Sequence, residues 1–324
     1  MFLSRQNRVD SREYRVDRKP NSVYCLLYTL YCLLFTCLPF HGIAQPDSLN
    51  KKRLALVGGG TAVVYSTMLI GLNEAWYKNY PRSSFHWIND NGEWNQVDKA
   101  GHMWSSYTYG LAGIELMKWS GMPRKKAIWI GGLAGTLFQT PIEILDGFSE
   151  QWGASSGDLI ANSLGSAVVI SQALVWDEQR IQIKFSCWPG SYAKYRPELL
   201  GQNVLTRILK DYNSQTYWLS VNPWSFAKNS RWPTWLNVSL GYGSDGLLGS
   251  YQNTWEDKQG VEQDFSSVAR RRQYYLSLDV DLQRLPVKNV FLKRVFRVMN
   301  CIKIPAPAVV YNEGGKWQFY PLHY

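Results

Sequence analysis

Asp98-Lys99-Ala100-Gly101-His102, Glu143-Ile144-Leu145-Asp146 and Asp158-Leu159-Ile160-Ala161-Asn162 decide how the first half of this chain is read. Each stretch carries polar side chains at i, i+3 or i, i+4, so each pair projects from one face of a helix. The segments around them are rich in small residues: Gly110, Ala112 and Gly113, then Gly131, Gly132, Ala134 and Gly135, then Ala161, Ser163, Gly165, Ser166 and Ala167. Small residues let helix backbones approach closely. Close packing would gather Asp98, His102, Glu143, Asp146, Asp158 and Asn162 where water reaches poorly. An ionisable group there must pair, stay neutral or bind a metal.

Around these stretches the pattern predicts four helices. The first spans Leu54 to Leu72 behind Lys51-Lys52-Arg53 and is apolar enough to cross a membrane or to lie buried in a bundle. Its Gly58-Gly59-Gly60-Thr61 is no phosphate loop, because no Gly-Lys-Ser/Thr follows; it reads as close packing or a bend. Tyr77 to Asn95 is a turn-rich loop with aromatic anchors. The second helix runs from Gln96 to Ser120 and stops at Gly121-Met122-Pro123. The third runs from Ala127 to Leu145 with a break or kink at Pro141. Ser155 or Ser156 caps the fourth, which carries Asp158 at its positive end and continues to Trp176.

Asp98-x3-His102, Glu143-Ile144-Leu145-Asp146-Gly147-Phe148-Ser149 and Gly153-Ala154-Ser155-Ser156-Gly157-Asp158-Leu159-Ile160-Ala161-Asn162-Ser163-Leu164-Gly165 resemble the uncharacterised YfiM-like family of predicted lipoproteins, the domain of unknown function 2279. More distantly they resemble VanZ-like membrane proteins, which share an Asp-x3-His, a later Glu and a final Asp-x3-Asn-x2-Gly. The resemblance covers residues 53–176. It implies a helical envelope domain and supplies no activity.

Two readings of the polar cluster follow. In the first, His102, Glu143, Asp146 and Asp158 hold a divalent metal such as Zn, Mn or Fe, with Asp98 and Asn162 completing a catalytic group. A metal there would activate water or polarise a phosphoryl or acyl oxygen. In the second, Asp98–His102 is a hydrogen-bonded pair, Asp158 a cap, Asn162 a bridge between helices and Asp146-Gly147 a turn. Nucleophilic catalysis by Ser105, Ser106, Ser155 or Ser156 has no Gly-x-Ser-x-Gly elbow behind it. A glycosidase-type pair of Glu143 and Asp158 depends on a separation that sequence does not contain.

The N-terminus carries Arg5, Arg8, Arg12, Arg15, Arg18 and Lys19, then an apolar run from Val23 to Phe40, then His41-Gly42-Ile43-Ala44-Gln45. This is the three-part plan of a signal peptide cut after Ala44. The competing readings are an uncleaved anchor and, less well matched, a lipobox at Leu34-Phe35-Thr36-Cys37. Cys25, Cys32 and Cys37 lie in this leader, which leaves Cys187 and Cys301 to bridge or to stay as thiols. No Cys spacing suits a structural zinc site.

The net charge is +10, with residues 45–176 balanced and the excess in the leader and after Trp176. With 15 Trp and 20 Tyr, the chain suits a membrane interface or a β-rich core. The partner expected is membrane lipid or an anionic envelope polymer, not nucleic acid, since no binding motif for it occurs.

After Trp176 the pattern changes. Ile181–Phe185, Tyr217–Val221, Trp235–Tyr242 and Tyr274–Leu282 read as strands, and in the last Tyr274, Leu276, Leu278, Val280 and Leu282 oppose Ser277, Asp279 and Asp281. Leu200–Tyr212 and the basic residues 287–299 read as amphipathic helices, the second either an ordinary helix with one solvated basic face or one suited to an anionic membrane. Arg270-Arg271-Arg272 is a solvated or phosphate-contacting run. Four or five strands are too few for an outer-membrane barrel. The fold class expected is therefore α+β: a signal peptide over 1–44, a four-helix, membrane-type bundle over 45–176, and a smaller, basic mixed α/β region over 177–324. The function expected is that of an exported, membrane-associated envelope protein, on the periplasmic side or in the outer membrane. It is either a metal-assisted hydrolase or transferase on an envelope lipid or glycan, or a non-catalytic structural or binding component.

Overall fold

A computed structural model describes residues 48–324 except 74–76, 78–80, 151, 189 and 258. The expected signal peptide and its three cysteines lie outside the described residues. The chain is a mixed α/β protein: helices dominate the described part of residues 51–175, and an antiparallel sheet dominates the rest.

Helix α1 (Lys51–Leu72) is capped by Asn50, whose side chain accepts from the Arg53 amide. It is largely exposed, and the glycines expected to pack closely do not: a Cβ on Gly58, Gly59 or Gly60 would meet nothing within 4 Å. Strand β1 (Trp87–Ile88) precedes α2 (Val97–Trp119). Between them Trp94, Asn95 and Gln96 all have positive φ, at 48°, 50° and 63°. Such backbone persists only where its surroundings hold it. Here Asn95 Nδ2 donates to Ser244, the Asn95 carbonyl accepts from Tyr242, and Arg272 donates to Gln96. The start of α2 is thereby tied to the sheet.

The expected third helix is two helices, α3 (Arg124–Gly132) and α4 (Ala134–Gly147). The break falls after Gly131-Gly132, where helix propensity is poorest, and not at Pro141, which lies inside α4. Strand β2 (Ala154–Ser155) pairs in parallel with β1, and Ser155 then caps α5 (Ser156–Val175) by accepting from the Asp158 amide. Among the described residues, 51–175 thus hold five α-helices where four helices were expected. The small residues do bring α2, α3, α4 and α5 into backbone contact. A Cβ on Gly113 would lie 2.3 Å from the Gly131 carbonyl oxygen, one on Gly135 2.2 Å from that of Ser106, and one on Gly165 2.3 Å from that of Met103.

The C-terminal half is built on a six-stranded antiparallel sheet: β3 (Ile181–Cys187), β4 (Gln215–Val221), β5 (Leu236–Asp245), β8 (Arg271–Val280), β9 (Ala306–Asn312) and β10 (Lys316–His323), in the order β10-β9-β8-β5-β4-β3. A small hairpin, β6 (Thr254–Glu256) with β7 (Glu262–Asp264), is inserted between β5 and β8. Single-turn helices α6 (Pro197–Leu200) and α8 (Pro223–Phe226) and the longer α7 (Val204–Lys210) and α9 (Val290–Met299) fill the connections. The region is as large as the helical half. The expectation of four or five strands missed the β9–β10 hairpin, whose prolines and aromatic ending hide its pattern.

The faces of this sheet are inverted relative to a soluble one. Lys184, Ser220, Asn237, Ser239, Ser277 and Asp279 are buried, whereas Leu240, Leu276 and Phe319 are 57%, 52% and 66% exposed. The buried side is concave. Lys184 on β3 lies 2.8 Å from Asp279 on β8, although strands three places apart in a flat sheet are separated by about 14 Å. Only strong curling joins them. On the convex side, α2 covers β3 and β4, with Trp104 against Phe185 and Tyr217, and Ile183 packs with Tyr107 and Val169. Cys187 and Cys301 are not disulfide-bonded. Within the arginine run, Arg270 donates to the Gly249 and Ser250 carbonyls and Arg272 to Gln96 and Glu313, so these two are structural.

Candidate functional site

The first turns of α2 and α5 and the middle of α4 converge beside the β1–β2 bridge. Asp98, His102 and Asp158 each offer one ligand atom within 4.8 Å of the others. His102 Nε2 lies 4.0 Å from Asp98 Oδ1 and 3.7 Å from Asp158 Oδ1. These separations exceed a hydrogen bond, and they match two ligands on one cation at bond lengths of about 2.0–2.2 Å. On the other side of the ring, Nδ1 lies 3.1 Å from Asn162 Oδ1. That oxygen can only accept, so the contact is a hydrogen bond when Nδ1 carries the proton, and Nε2 faces the carboxylates. A metal-binding imidazole is held in this way, its second nitrogen donating to an oxygen behind it.

Glu143 flanks the group, with Oε1 4.0 Å from His102 Nδ1 and Oε2 accepting from the Ser155 amide at 3.2 Å. Asp146 stands apart, taking the Tyr77 hydroxyl at 2.7 Å. The structure therefore gathers Asp98, His102, Asp158, Asn162 and Glu143. In the tightest group Asp98 stands where the sequence suggested Glu143 and Asp146. Asn162 is fully buried, and its Nδ2 has no hydrogen-bond partner among the described residues.

Three residues entered that sequence reasoning did not single out. Lys99 Nζ lies 2.6 Å from Asp90, 2.8 Å from Asp158 and 3.3 Å from Asp98. Tyr212, in the turn before β4, donates to Asp98 Oδ1 at 2.6 Å. Asp90 accepts from Ser155 Oγ at 2.6 Å. The adjacency of Asp98 and Lys99 was a weak signal for the lysine; nothing local marked Tyr212.

The electrostatics follow from this crowding. Burial opposes charge on His102, yet Asp98, Asp158 and Glu143 outweigh it and raise the imidazole above its ordinary value. Burial likewise opposes ionisation of Asp98, but His102, Lys99 and the Tyr212 hydroxyl hold its carboxyl below the usual range. Burial lowers the tendency of Lys99 to stay charged, and Asp98 and Asp158 more than restore it. Glu93, at the edge, is pushed up to about 7 by burial and by Asp90 and Asp98. The surplus here is of acid.

A cavity of about 1630 Å³ opens onto Asp98 and His102. Much of its wall is apolar, with Leu56, Val64 and Met68 from α1, Leu111 from α2, Phe138 from α4 and Ile183 from β3.

Residues 86–173 match the family model of predicted periplasmic lipoproteins, DUF2279. The match runs from β1 almost to the end of α5, under a third of the 324-residue chain, and contains the whole cluster except Tyr212. It supports export to the periplasm or envelope. The sheet lies outside it. Comparison with curated proteins gives no match, and comparison with solved structures gives none.

Proposed function

We propose that this chain is an exported, membrane-associated envelope protein whose Asp98–His102–Asp158 group binds a divalent cation and serves a hydrolase or transferase acting on an envelope lipid or glycan. The observation that carries the reading is His102, with Nδ1 tethered to Asn162 and Nε2 facing two carboxylates across a gap wider than a hydrogen bond. A cation held there would polarise a water, phosphoryl or acyl oxygen. Tyr212 would fix the orientation of Asp98, and Glu143, near the same imidazole, would exchange the proton. The apolar cavity favours the lipid over the glycan. Three helices, Lys51–Leu72, Arg124–Gly147 taken as one, and Ser156–Val175, are long and apolar enough to cross a membrane. The leader, with its cut after Ala44, would supply export, and the finer likeness to YfiM-like and VanZ-like proteins belongs to this reading as well. Elemental analysis of the purified protein tests it. Stoichiometric metal in the wild type, lost in His102→Ala, is the expected result; a metal-free wild type that no divalent cation stabilises against heat overturns it.

A second reading has its own support. The Lys99 ammonium already touches Asp90, Asp98 and Asp158, which is how a purely structural, non-catalytic cluster would neutralise its acids. Under that reading Glu143→Gln leaves both stability and envelope phenotype unchanged.

A further inference from the structure

We infer that the uncovered convex face of the curled sheet rests on the hydrocarbon of one lipid leaflet, with anionic headgroups at its margins. The register orders that face into bands. Tyr242, Tyr274, Tyr311 and Trp317 stand side by side across β5, β8, β9 and β10. The next row on the same face is Leu240, Leu276, Val309 and Phe319, and beyond it come Val238 and Leu278. On the other side of the aromatic row are Ser244, Arg272 and Glu313. Polar, aromatic, aliphatic is the sequence of layers met on entering a bilayer.

The exposed side chains are large: Trp317 is 69% and Phe319 66% exposed. A shallow groove of about 280 Å³ runs between Val238, Leu276, Val309 and Phe319. Among the described residues the helices cover only the β3–β4 end of the convex side, and the side chains behind this face turn to the concave side. Lys184, Asp279, Gln182, Asp281 and Asn300 satisfy one another there.

Dimensions choose between crossing and resting. From Leu276 to Val280 the aliphatic band covers about 14 Å at ~3.4 Å per residue, about half of the ~30 Å hydrocarbon core. One end of the band is closed by the aromatic row and, past it, by Ser244, Arg272 and Glu313. Beyond the turn that follows Val280, α9 exposes Val290, Phe291 and Leu292 beside the exposed Lys288 and Lys293. A helix of that composition lies in the plane of an anionic surface. The face is therefore built to sit on a leaflet, and the basic charges choose an anionic one.

The test places the photoreactive residue p-benzoylphenylalanine at Phe319 or at Leu276 in the full chain. The protein is reconstituted with phosphatidylethanolamine–phosphatidylglycerol vesicles and irradiated. Mass spectrometry should find phospholipid adducts at both positions and none at Glu262, an exposed residue of β7. A covalent dimer would overturn the proposal in favour of a second copy of the chain. Absence of both adducts in protein that still floats with the vesicles would overturn it too, because the helices alone would then be holding the membrane. Both substitutions fall on exposed positions, and circular dichroism verifies the fold in each.

Discussion

The molecule buries two charged clusters, and they are constructed differently. In the sheet, Lys184 meets Asp279 at 2.8 Å, donates to the Val280 carbonyl and to Asn300, and Ser220 and the Ile304 amide complete Asp279. Each of these groups has its partner. In the helices, acids outnumber cations, the imidazole stands off from both carboxylates, and the Asn162 amide nitrogen has no hydrogen-bond partner among the described residues. A satisfied network holds a fold together. A network with surplus acid is costlier to bury and leaves polar atoms for a partner to meet. The ligand role proposed for the second cluster rests on that difference.

The comparison can be broken most decisively in the sheet. Asp279→Ala leaves the buried Lys184 uncompensated and should lower unfolding free energy by about 3–5 kcal/mol, whereas adding Lys184→Met should restore most of it; denaturant midpoints measure both. An Asp279→Ala protein as stable as wild type would mean that the sheet interior is wetter than described. Next comes Gly165→Leu, which forces a side chain into the Met103 carbonyl and should cost about 1–3 kcal/mol or more as the α2–α5 contact is overpacked.

In the helical cluster the order of effects should reverse. Glu143→Gln should change stability by less than about 1 kcal/mol and leave the metal in place while removing the envelope phenotype; an unchanged phenotype would favour the structural reading.

The two clusters also differ with pH. The His102 imidazole is raised above its ordinary 6.5 in the folded state, so its contribution is complete below that value and is lost as pH rises through the folded value. Asp98 is lowered from 3.8, so its contribution is present above that value and disappears on acidification. A His102→Gln protein should lose the decline in stability above pH 6.5, read from thermal midpoints across a pH series. In the sheet, burial lowers Lys303 from 10.5 to about 8, with Asp279 opposing and Lys184 reinforcing. Charged in both states at neutral pH, it is a burden relieved as pH rises from about 8 to 10.5. Lys303→Met should therefore stabilise slightly at pH 7, by about 1 kcal/mol at most after the loss of its contact with Trp218. A clear destabilisation would show that the cation–π contact outweighs burial.

Spacing alone made Asp98, His102, Glu143, Asp158 and Asn162 stand out, because i, i+3 and i, i+4 pairs in small-residue helices share a face whatever the helices pack against. The stop at Gly121-Met122-Pro123 and the Ser155 cap were local in the same sense. The break between α3 and α4 falls at two adjacent glycines whose backbones α2 approaches, not at Pro141, the stronger local breaker.

What the sequence determined by itself, then, was periodicity: which side chains share a helix face and which alternate along a strand. Tertiary structure decided the rest. Strand alternation defines two faces equally well whichever is buried, so only the curl that carries Lys184 to Asp279 shows that the polar face is inside. Likewise Tyr212 reaches Asp98 across 114 positions of chain, and Lys99 enters the cluster because the β1–β2 bridge brings Asp90 and Ser155 to it. Contacts between distant segments depend on how the backbone closes in space, and no local pattern encodes that closure.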